Sequence, residues 1–300
     1  MNSPDKFRPL GLVLDMPAET YHAIDALSST GMRHLARSPW HYRNRVDVVP
    51  TKPMLCGTLA HCAVLEPDAM QSRYIVAPAD APRRPTQAQW NAKKSSPESA
   101  AAKAWWTDFH AQAASRQIVA HEDYAITQAQ LSALQADPYI AEILSSGYSE
   151  ASVFWIDPET GVYCKARPDH VHITKSGTAR LLDLKSTVDE SPSGFGRSAA
   201  KLGYHRQRAH YLRGFEIATG IKVEEFCFAV VSSAPPVLAV PYWLPEDFEQ
   251  QGEDERSELT ALYAQCHRTG IWPTYGTGPQ LADIPRYAMR SSEVEVSYAD

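Results

Sequence analysis

The sequence has no apolar run that approaches the ~20 residues needed to cross a membrane, so no transmembrane span is expected. Its N-terminus, MNSPDKFRPLGLVLDMP, lacks the basic segment and long apolar stretch of a secretory signal. The five cysteines are scattered and odd in number, which argues against a disulfide framework or a zinc ribbon. These absences predict a protein of the reducing cytoplasm that is not associated with a membrane.

An excess of positive charge is also missing. The chain carries a net charge of −6 and has a pI near 6.0. Proteins that coat nucleic acid without specificity are usually basic, and this charge balance disfavours that class, although an enzyme with a local basic groove is compatible with it. With 44% hydrophobic and 21% charged residues over 300 positions, the composition is that of a globular protein with a sizeable core.

The first half of the chain has helical patterns. After an extended lead-in over residues 1–20, Ser28 or Ser29 is expected to cap a helix that Pro39 ends. Further helices are predicted over 55–66, 98–118 and 124–146, the last with a break at Asp137-Pro138, and a loop or mobile segment rich in proline and serine is predicted over 77–100.

The pattern changes to strands after Glu150. Strands are predicted over 151–157, 162–173, 179–187, 223–233 and 237–244, a loop over 188–197, and helices over 198–220 and 245–270. This order predicts an α/β protein with a single domain over 21–270, in which a helical elaboration (about 21–147) precedes a sheet core (about 150–245). Residues 271–300 are expected to form a flexible tail.

Two of the predicted strands carry acids that strands seldom hold. Asp183 and Lys185 lie two positions apart and therefore share one face of their strand. A turn near Ser176-Gly177 would fold the preceding strand against it and bring Asp169 near Asp183. Two adjacent carboxylates repel each other unless a cation lies between them, and such oxygen ligands suit Mg²⁺ or Mn²⁺. With a lysine beside the cation, these groups suit metal-assisted hydrolysis of a phosphodiester, whereas a surface hairpin with an exposed Asp–Lys pair is the alternative.

Two further polar groups accompany this pair. Gln207 and Tyr211 are spaced i, i+4 and therefore lie on one face of the helix that follows the third strand. His61 lies within GTLAHCAVLE, an otherwise apolar helix. His61 could be a hydrogen-bonded core histidine, and Gln207 and Tyr211 could simply cover the core, but the acids downstream favour a shared site.

These motifs resemble the PD-(D/E)xK nuclease superfamily, and within it the branch of RecE-type exodeoxyribonuclease VIII and the RecB-like nuclease domains. The resemblance covers roughly residues 20–245. The parts that carry it are GTLAH, RPD, DLK and QRAHY, together with the opening LSSTGMRHLARSPWHYR. It implies a restriction-endonuclease-like core, with a mixed central sheet flanked by helices.

The resemblance also implies roles. Asp169 and Asp183 would ligate the metal together with His61 and the backbone carbonyl of Leu184. Lys185 would orient the attacking water and stabilise charge on the phosphate. The residues expected to support the site are Gln207 and Tyr211, and, as a further ligand or supporting acid, Glu150. No closely spaced cysteine group is present for an iron–sulfur cluster, and no Walker A motif for a helicase motor.

Other residues allow more than one interpretation. Arginine forks suit a terminal phosphate, and the candidates for DNA contacts are Arg33, Arg37, Arg43, Arg206 and Arg208. Trp105 and Trp106 are expected in the core rather than stacked on bases. The acidic run EDFEQQGEDERSE is expected to be a solvated helix face.

The function predicted from these observations is a Mg²⁺-dependent exonuclease of linear double-stranded DNA. By the resemblance it would act 5′ to 3′, leave 3′ single strands for recombination in a phage or prophage context, form a homo-oligomer and serve a single-strand annealing partner. The alternatives are an endonuclease or a flap or single-strand nuclease on the same core, a non-catalytic protein that binds DNA ends, and a metal-free scaffold.

Overall fold

A five-stranded mixed sheet lies at the centre of the computed structural model, which describes residues 7–46, 48–282 and 284. The strands of the described residues are β1 (Gly11–Val13), β2 (Tyr74–Val76), β3 (Gln117–Val119), β4 (Tyr148–Ser149), β5 (Ser152–Ile156), β6 (Tyr163–Ala166), β7 (His170–Ile173), β8 (Ala179–Thr187), β9 (Val223–Ser232) and β10 (Ala239–Tyr242). The central sheet has the order β10-β9-β8-β7-β4; β8 and β9 are parallel and the other pairs are antiparallel. A second, antiparallel sheet has the order β1-β5-β6.

Helices cover both faces of the central sheet. The α-helices of the described residues are α1 (Ala18–Ala23), α2 (Ser29–Arg37), α3 (Pro39–Arg43), α4 (Lys52–Leu65), α5 (Met70–Arg73), α6 (Gln87–Asn91), α7 (Pro97–Ala113), α8 (His121–Ala136), α9 (Pro138–Leu144), α10 (Pro192–Leu202), α11 (Tyr204–Thr219) and α12 (Glu246–Thr269). No helix in this part of the chain is both long and apolar enough to span a membrane.

The strands β8 and β9 are buried on both faces. Leu181 and Phe228 pack on one side against residues of α10, α11 and α12. Leu182 and Leu184 pack on the other side against residues of α8 and α9. A strand covered on both faces is usually apolar along its whole length. Asp183 in β8, only 1% exposed, is therefore an exception that needs a partner or a function.

The predicted α/β class and the mixed sheet flanked by helices are confirmed, and β8 has the predicted bounds. The break at Asp137-Pro138 is also confirmed, because Asp137 caps α9 through its carboxylate. The prediction of one continuous β-strand over 162–173 is wrong, because β6 and β7 divide this range. The chain leaves β6 before Pro168, which cannot donate to a strand ladder, and β7 then joins the other sheet.

Three further helix boundaries differ from the predictions. Pro39 does end α2, but Ser38 then caps a second short helix, α3, that begins at this proline. The loop predicted over 188–197 contains the start of α10, which Ser191 caps. The helix predicted over 198–220 is broken at Gly203, whose φ of +73° is one that glycine adopts without strain.

The described parts of the predicted lead-in and tail make defined contacts with the rest of the protein. In the predicted lead-in, β1 pairs with β5 and α1 begins at Ala18; residues 1–6 of the lead-in lie outside the described residues. At the start of the predicted tail, Trp272 stacks on Tyr42 with ring centroids 5.5 Å apart. Residues 283 and 285–300 of that tail lie outside the described residues.

A small lobe connects α5 with α8. It spans residues 74–119 and is called the β2–β3 lobe here, because the parallel strands β2 and β3 form its base. Its own apolar cluster contains Trp105, Trp106 and Phe109, separate from the clusters on the central sheet. The loop predicted over 77–100 lies in this lobe and includes α6.

Candidate active site

The antiparallel pairing of β7 with β8 brings two acids together. His170 pairs with Leu182, so Asp169, one residue before β7, lies beside Asp183 in β8. The backbone N–H of Leu184 donates to Asp169 Oδ2 over 2.6 Å, which fixes the carboxylate against the strand. Asp169 is 9% exposed and Asp183 1% exposed. The hairpin predicted from the sequence therefore exists, and it is buried rather than on the surface.

The proximity of these acids has an electrostatic cost. Burial and, after it, the negative charge of Asp183 raise the pKa of Asp169 to about 7, against the opposing effect of His61 and Lys185. An added cation at this position would remove the penalty, because it stabilises both carboxylates in the charged form. The arrangement is therefore one that a protein tolerates when it binds a positive ion there.

His61 and Glu150 complete a cluster around Asp169. One ligand atom from each of His61, Glu150 and Asp169 lies within 4.8 Å of the other two. His61 Nδ1 lies 3.7 Å from Asp169 Oδ2, and His61 Nε2 lies 3.1 Å from the backbone oxygen of Leu184. This is the histidine and the carbonyl that the sequence resemblance implied as ligands.

Glu150 is held firmly in this cluster. Its backbone N–H donates to the carbonyl of Asp169 over 2.9 Å, and its φ of +52° is unusual for a residue with a side chain. Arg167 Nε donates to Glu150 Oε2 over 2.6 Å, and Arg167 also donates to the carbonyl of Met16. Residues in strained backbone conformations are concentrated at functional sites, and Glu150 is consistent with this tendency.

The donor set fits a divalent metal ion. Two carboxylates, an imidazole and a backbone carbonyl lie together, and such mainly oxygen donors favour Mg²⁺ or Mn²⁺. Asp183, which the sequence resemblance implied as a second carboxylate ligand, is engaged differently. Its Oδ1 accepts a hydrogen bond from Gln207 Nε2 over 2.6 Å, and its Oδ2 is in contact with the Lys185 ammonium.

Lys185 is positively charged in this environment. Burial opposes that charge, but the carboxylates of Asp183 and Asp169 outweigh the effect and raise the pKa of Lys185 above its ordinary value. Its Nζ also lies 4.7 Å from the ring centroid of Tyr204, a cation–π contact. Lys185 is thus a fixed ammonium group beside two carboxylates.

A cavity of about 240 Å³ opens at Lys185. Ser29, Thr30 and Arg33 at the start of α2 line one side. Tyr204 and the predicted pair Gln207 and Tyr211 line the other side with Lys185. The cavity lining contains hydroxyl groups and two cations but no carboxylate, so its chemistry suits an anion.

A larger cavity, of about 960 Å³, borders the cluster at Glu150. Arg167, which holds Glu150, also lines it. Arg73 at the end of α5 and Tyr74, the first residue of the β2–β3 lobe, belong to the same lining. The lobe therefore begins beside a space that Glu150 also borders.

The arginines proposed for DNA contacts fall into two groups. Arg33, Arg37 and Arg43 lie on exposed parts of α2 and α3, and Arg33 lines the smaller cavity. Arg206 and Arg208 instead pair with Glu255 and Glu249 of α12.

Those acids belong to the run expected to be a solvated helix face. That expectation is wrong for these positions, because α12 packs along α11 and its acids neutralise the arginines there.

Sequence reasoning missed two residues of the site. Tyr204 precedes Gln207 by three positions and Tyr211 by seven, a spacing that places all three on one helical face. This helical periodicity could have identified Tyr204 as a residue of the site. Arg167, which holds Glu150, gave no such signal, because the contact depends on how β6 and the segment before β5 meet.

The fold is shared with a solved structure. A candidate exonuclease from Eubacterium rectale matches with a TM-score of 0.52 and 12% identity, over 86% of this chain and 88% of that chain. The structure of SSO0001 matches with a TM-score of 0.27 and 12% identity, over 47% of this chain and 68% of that chain, and this likeness is too low to carry an argument. No curated protein matches the sequence significantly.

A family model matches far more of the sequence than any single motif does. The match extends over residues 28–281 and therefore includes the whole cluster and the cavity at Lys185. It confirms the resemblance at the level of the PD-(D/E)xK superfamily. The chain belongs to the family of PDDEXK-like domains of unknown function (DUF3799).

Proposed function

We propose that the protein is a Mg²⁺-dependent deoxyribonuclease that removes nucleotides from the ends of linear double-stranded DNA. The observation that carries this proposal is the proximity of two groups of residues: the partly buried His61–Glu150–Asp169 cluster and the Asp183–Lys185 pair. Membership in the PDDEXK-like family supports it. The name of the Eubacterium rectale protein, which has the same fold, favours an exonuclease.

His61, Glu150, Asp169 and the Leu184 carbonyl would hold the ion, with Asp183 as a further carboxylate beside them. When bound, a divalent cation lowers the pKa of water and withdraws charge from a phosphoryl oxygen. Mn²⁺ could replace Mg²⁺ because the same donors suit both ions.

The chain's own residues would position the reactants. The Lys185 ammonium would hold a non-bridging phosphate oxygen and stabilise the charge that develops there. Gln207 orients Asp183 through its side-chain amide, and Tyr211 closes the cavity behind them. Burial keeps the Tyr211 hydroxyl protonated, because its pKa lies well above the ordinary value.

The smaller cavity supports a substrate rich in phosphate. Arg33 presents a fork of donors, and Ser29 and Thr30 add hydroxyl groups at the first turn of α2. A phosphate next to the scissile one would fit there, since α2 is long enough for its N-terminal dipole to favour an anion. Arg37 and Arg43 would extend this contact along the DNA backbone.

The finer parts of the proposal follow the RecE-like resemblance. Digestion would run 5′ to 3′ and leave 3′ single strands for a recombination partner that anneals them, and subunits would associate around the DNA. An endonuclease on the same core is the nearest alternative. A non-catalytic protein that binds DNA ends is disfavoured, because the complete set of charged groups is maintained inside the core.

End-labelled DNA distinguishes these functions. A linear duplex labelled at the 5′ or the 3′ end would be incubated with Mg²⁺ or EDTA, beside a covalently closed circle. Metal-dependent release of 5′-terminal nucleotides, with the circle intact, is the expected result. A cut circle would identify an endonuclease, and DNA binding without cleavage in Mg²⁺, or in Mn²⁺ used in its place, would overturn the catalytic proposal.

A further inference from the structure

We propose that the β2–β3 lobe is a second DNA-binding surface, which holds single-stranded DNA outside the catalytic centre. This inference rests on the proposed function, because it names the strand that digestion leaves as the lobe's ligand. The lobe combines a net positive charge, cations without ion pairs and a cluster of aromatic side chains.

The charge of the lobe is opposite to that of the whole chain. Residues 74–119 contain six lysines and arginines and three acids, in a protein whose net charge is −6. The positive charge is therefore concentrated in a short segment, while the remaining residues are more acidic than the total indicates. A local basic surface on an acidic protein steers nucleic acid to that surface.

The lobe's cations are not neutralised within the protein. Among the described residues, none of its six lysines and arginines forms an ion pair with an acid, whereas Arg167, Arg206, Arg208 and Arg256 of the core all do. Arg83, Lys93 and Lys94 are exposed. Exposed cations without an acidic partner are available to phosphate groups.

An aromatic cavity lies among these cations. It has a volume of about 570 Å³, and its lining includes Arg83, Arg84 and Trp105, with Glu98 as the one acid. Trp105 stacks on Phe109 with ring centroids 5.0 Å apart, so its ring is held in place. Trp106 is buried, as predicted, but Trp105 is only half-buried and lines the cavity.

This combination favours a single strand over a duplex. A base can enter a cavity and stack on a fixed ring only when it is not paired, and arginines beside the ring then hold the flanking phosphates. The base of the lobe also borders the candidate active site, because Tyr74, the first residue of the lobe, lines the larger cavity together with Glu150.

The test measures binding without cleavage. Fluorescence anisotropy of a labelled oligothymidylate would be recorded in EDTA over a series of salt concentrations. The exposed charge reversals Arg83→Glu and Lys94→Glu, combined in one protein, are expected to weaken binding on the order of tenfold and to reduce the salt slope by about 1.4. Trp105→Leu, which keeps an apolar side chain, is expected to weaken binding at least about fivefold.

A matched control changes the same charge elsewhere. Lys175 and Lys222 are exposed and form no ion pair among the described residues, so Lys175→Glu combined with Lys222→Glu should bind almost as the wild type does. If this control weakens binding as much as the lobe variant, the effect is one of net charge and the lobe proposal fails. If the lobe variant loses affinity for a duplex but not for the single strand, the assignment of a single strand is overturned.

The proposal for the lobe and the proposal for catalysis are contradicted by different results. Hydrolysis of bis(4-nitrophenyl) phosphate, a diester too small to reach the lobe, reports on the catalytic centre alone and should be equal in the wild type and all lobe variants. A protein that cleaves no substrate but binds the oligothymidylate through Arg83 and Lys94 would retain the lobe proposal without the nuclease. Cleavage with unchanged binding in the lobe variants would refute the lobe proposal.

Discussion

The catalytic core and the β2–β3 lobe use positive charge in opposite ways. In the core, Lys185 contacts Asp183, Arg167 holds Glu150, and Arg256 is paired with Asp157 and Glu253. In the lobe, Arg83, Lys93 and Lys94 face solvent without acidic partners among the described residues. These three core cations are therefore parts of the folded structure, and the lobe cations are free for a ligand.

Burial accounts for this difference. A cation in a water-poor site must have a partner, because an unpaired buried charge costs several kcal/mol. A cation on the surface contributes little to stability whether it is paired or not. Substitution of the paired core cations should thus change catalysis or folding. Substitution of the exposed lobe cations should change only the binding of DNA.

Removal of Lys185 should have the largest effect. Lys185→Ala takes away the only ammonium group among the described residues that lines the small cavity, and we expect hydrolysis of DNA to fall at least about 100-fold. The loss of activity is measured as the initial rate of nucleotide release from a linear duplex. Lys175→Ala, an equal change on an exposed turn, should leave the rate unaltered; equal losses in both variants would show that Lys185 has no special role.

Loss of Glu150 should weaken metal binding. Glu150→Gln removes a charged donor from the cluster but retains the shape of the side chain, and we expect affinity for Mn²⁺ to fall about 10- to 100-fold. Calorimetric titration of the protein with Mn²⁺ gives the affinity. Glu142→Gln, an acid remote from the cluster, serves as the control, and an unchanged affinity in Glu150→Gln would exclude this residue as a ligand.

The paired core arginines should matter for folding. Arg256 is 4% exposed, and Arg256→Met would leave Asp157 buried without its cation, so we expect the free energy of unfolding to fall by about 3–5 kcal/mol. Arg83→Met in the lobe should change the free energy of unfolding by less than about 0.5 kcal/mol. Denaturant titrations of both variants measure the two values, and similar losses would remove the distinction between core and lobe.

The smallest expected effect is a gain in the stability of the fold from a substitution at the candidate metal site. Asp169 has a folded pKa of about 7 against an ordinary value of 3.8, so the folded protein favours its protonated form. Stability from this group is therefore greatest at low pH and is lost as the pH rises toward and through 7. In EDTA, Asp169→Asn should raise the free energy of unfolding above pH 7, because it removes a carboxylate that is charged there and costly to bury.

Thermal unfolding at pH 5 and pH 8 tests the sign of this effect. The gain from Asp169→Asn should be larger at pH 8 than at pH 5. Asp68→Asn, at an acid outside the cluster, should show no such difference. A variant that is less stable than the wild type at pH 8 would contradict the electrostatic account of the site.

The strand pair that carries Asp169, Asp183 and Lys185 was predictable because its information is local. Alternation along β8 and a turn at Ser176-Gly177 determine which side chains share a face. The helical spacing of Gln207 and Tyr211 is local in the same way. Such short-range rules are sufficient to identify most of the candidate site.

The remaining features depend on tertiary contacts that spacing does not encode. Glu150 was implied by the resemblance, but only the fold shows that its backbone N–H donates to the carbonyl of Asp169, nineteen positions away. Arg206 and Arg208 appeared free in the sequence, but the packing of α12 on α11 supplies their acidic partners. Likewise, only the folded lobe shows that Trp105 lines a cavity while Trp106 is buried.

The central claim is that the His61–Glu150–Asp169 cluster, with Asp183 and Lys185, is a metal-dependent centre for phosphodiester hydrolysis. The most direct test is the rate of hydrolysis of a linear duplex as a function of Mg²⁺ concentration, for the wild type and for Asp169→Asn. The account predicts saturable, EDTA-sensitive hydrolysis by the wild type, and at least about a 100-fold lower rate for a variant that is folded and stable. Equal rates in the two proteins, or hydrolysis that persists in EDTA, would contradict it.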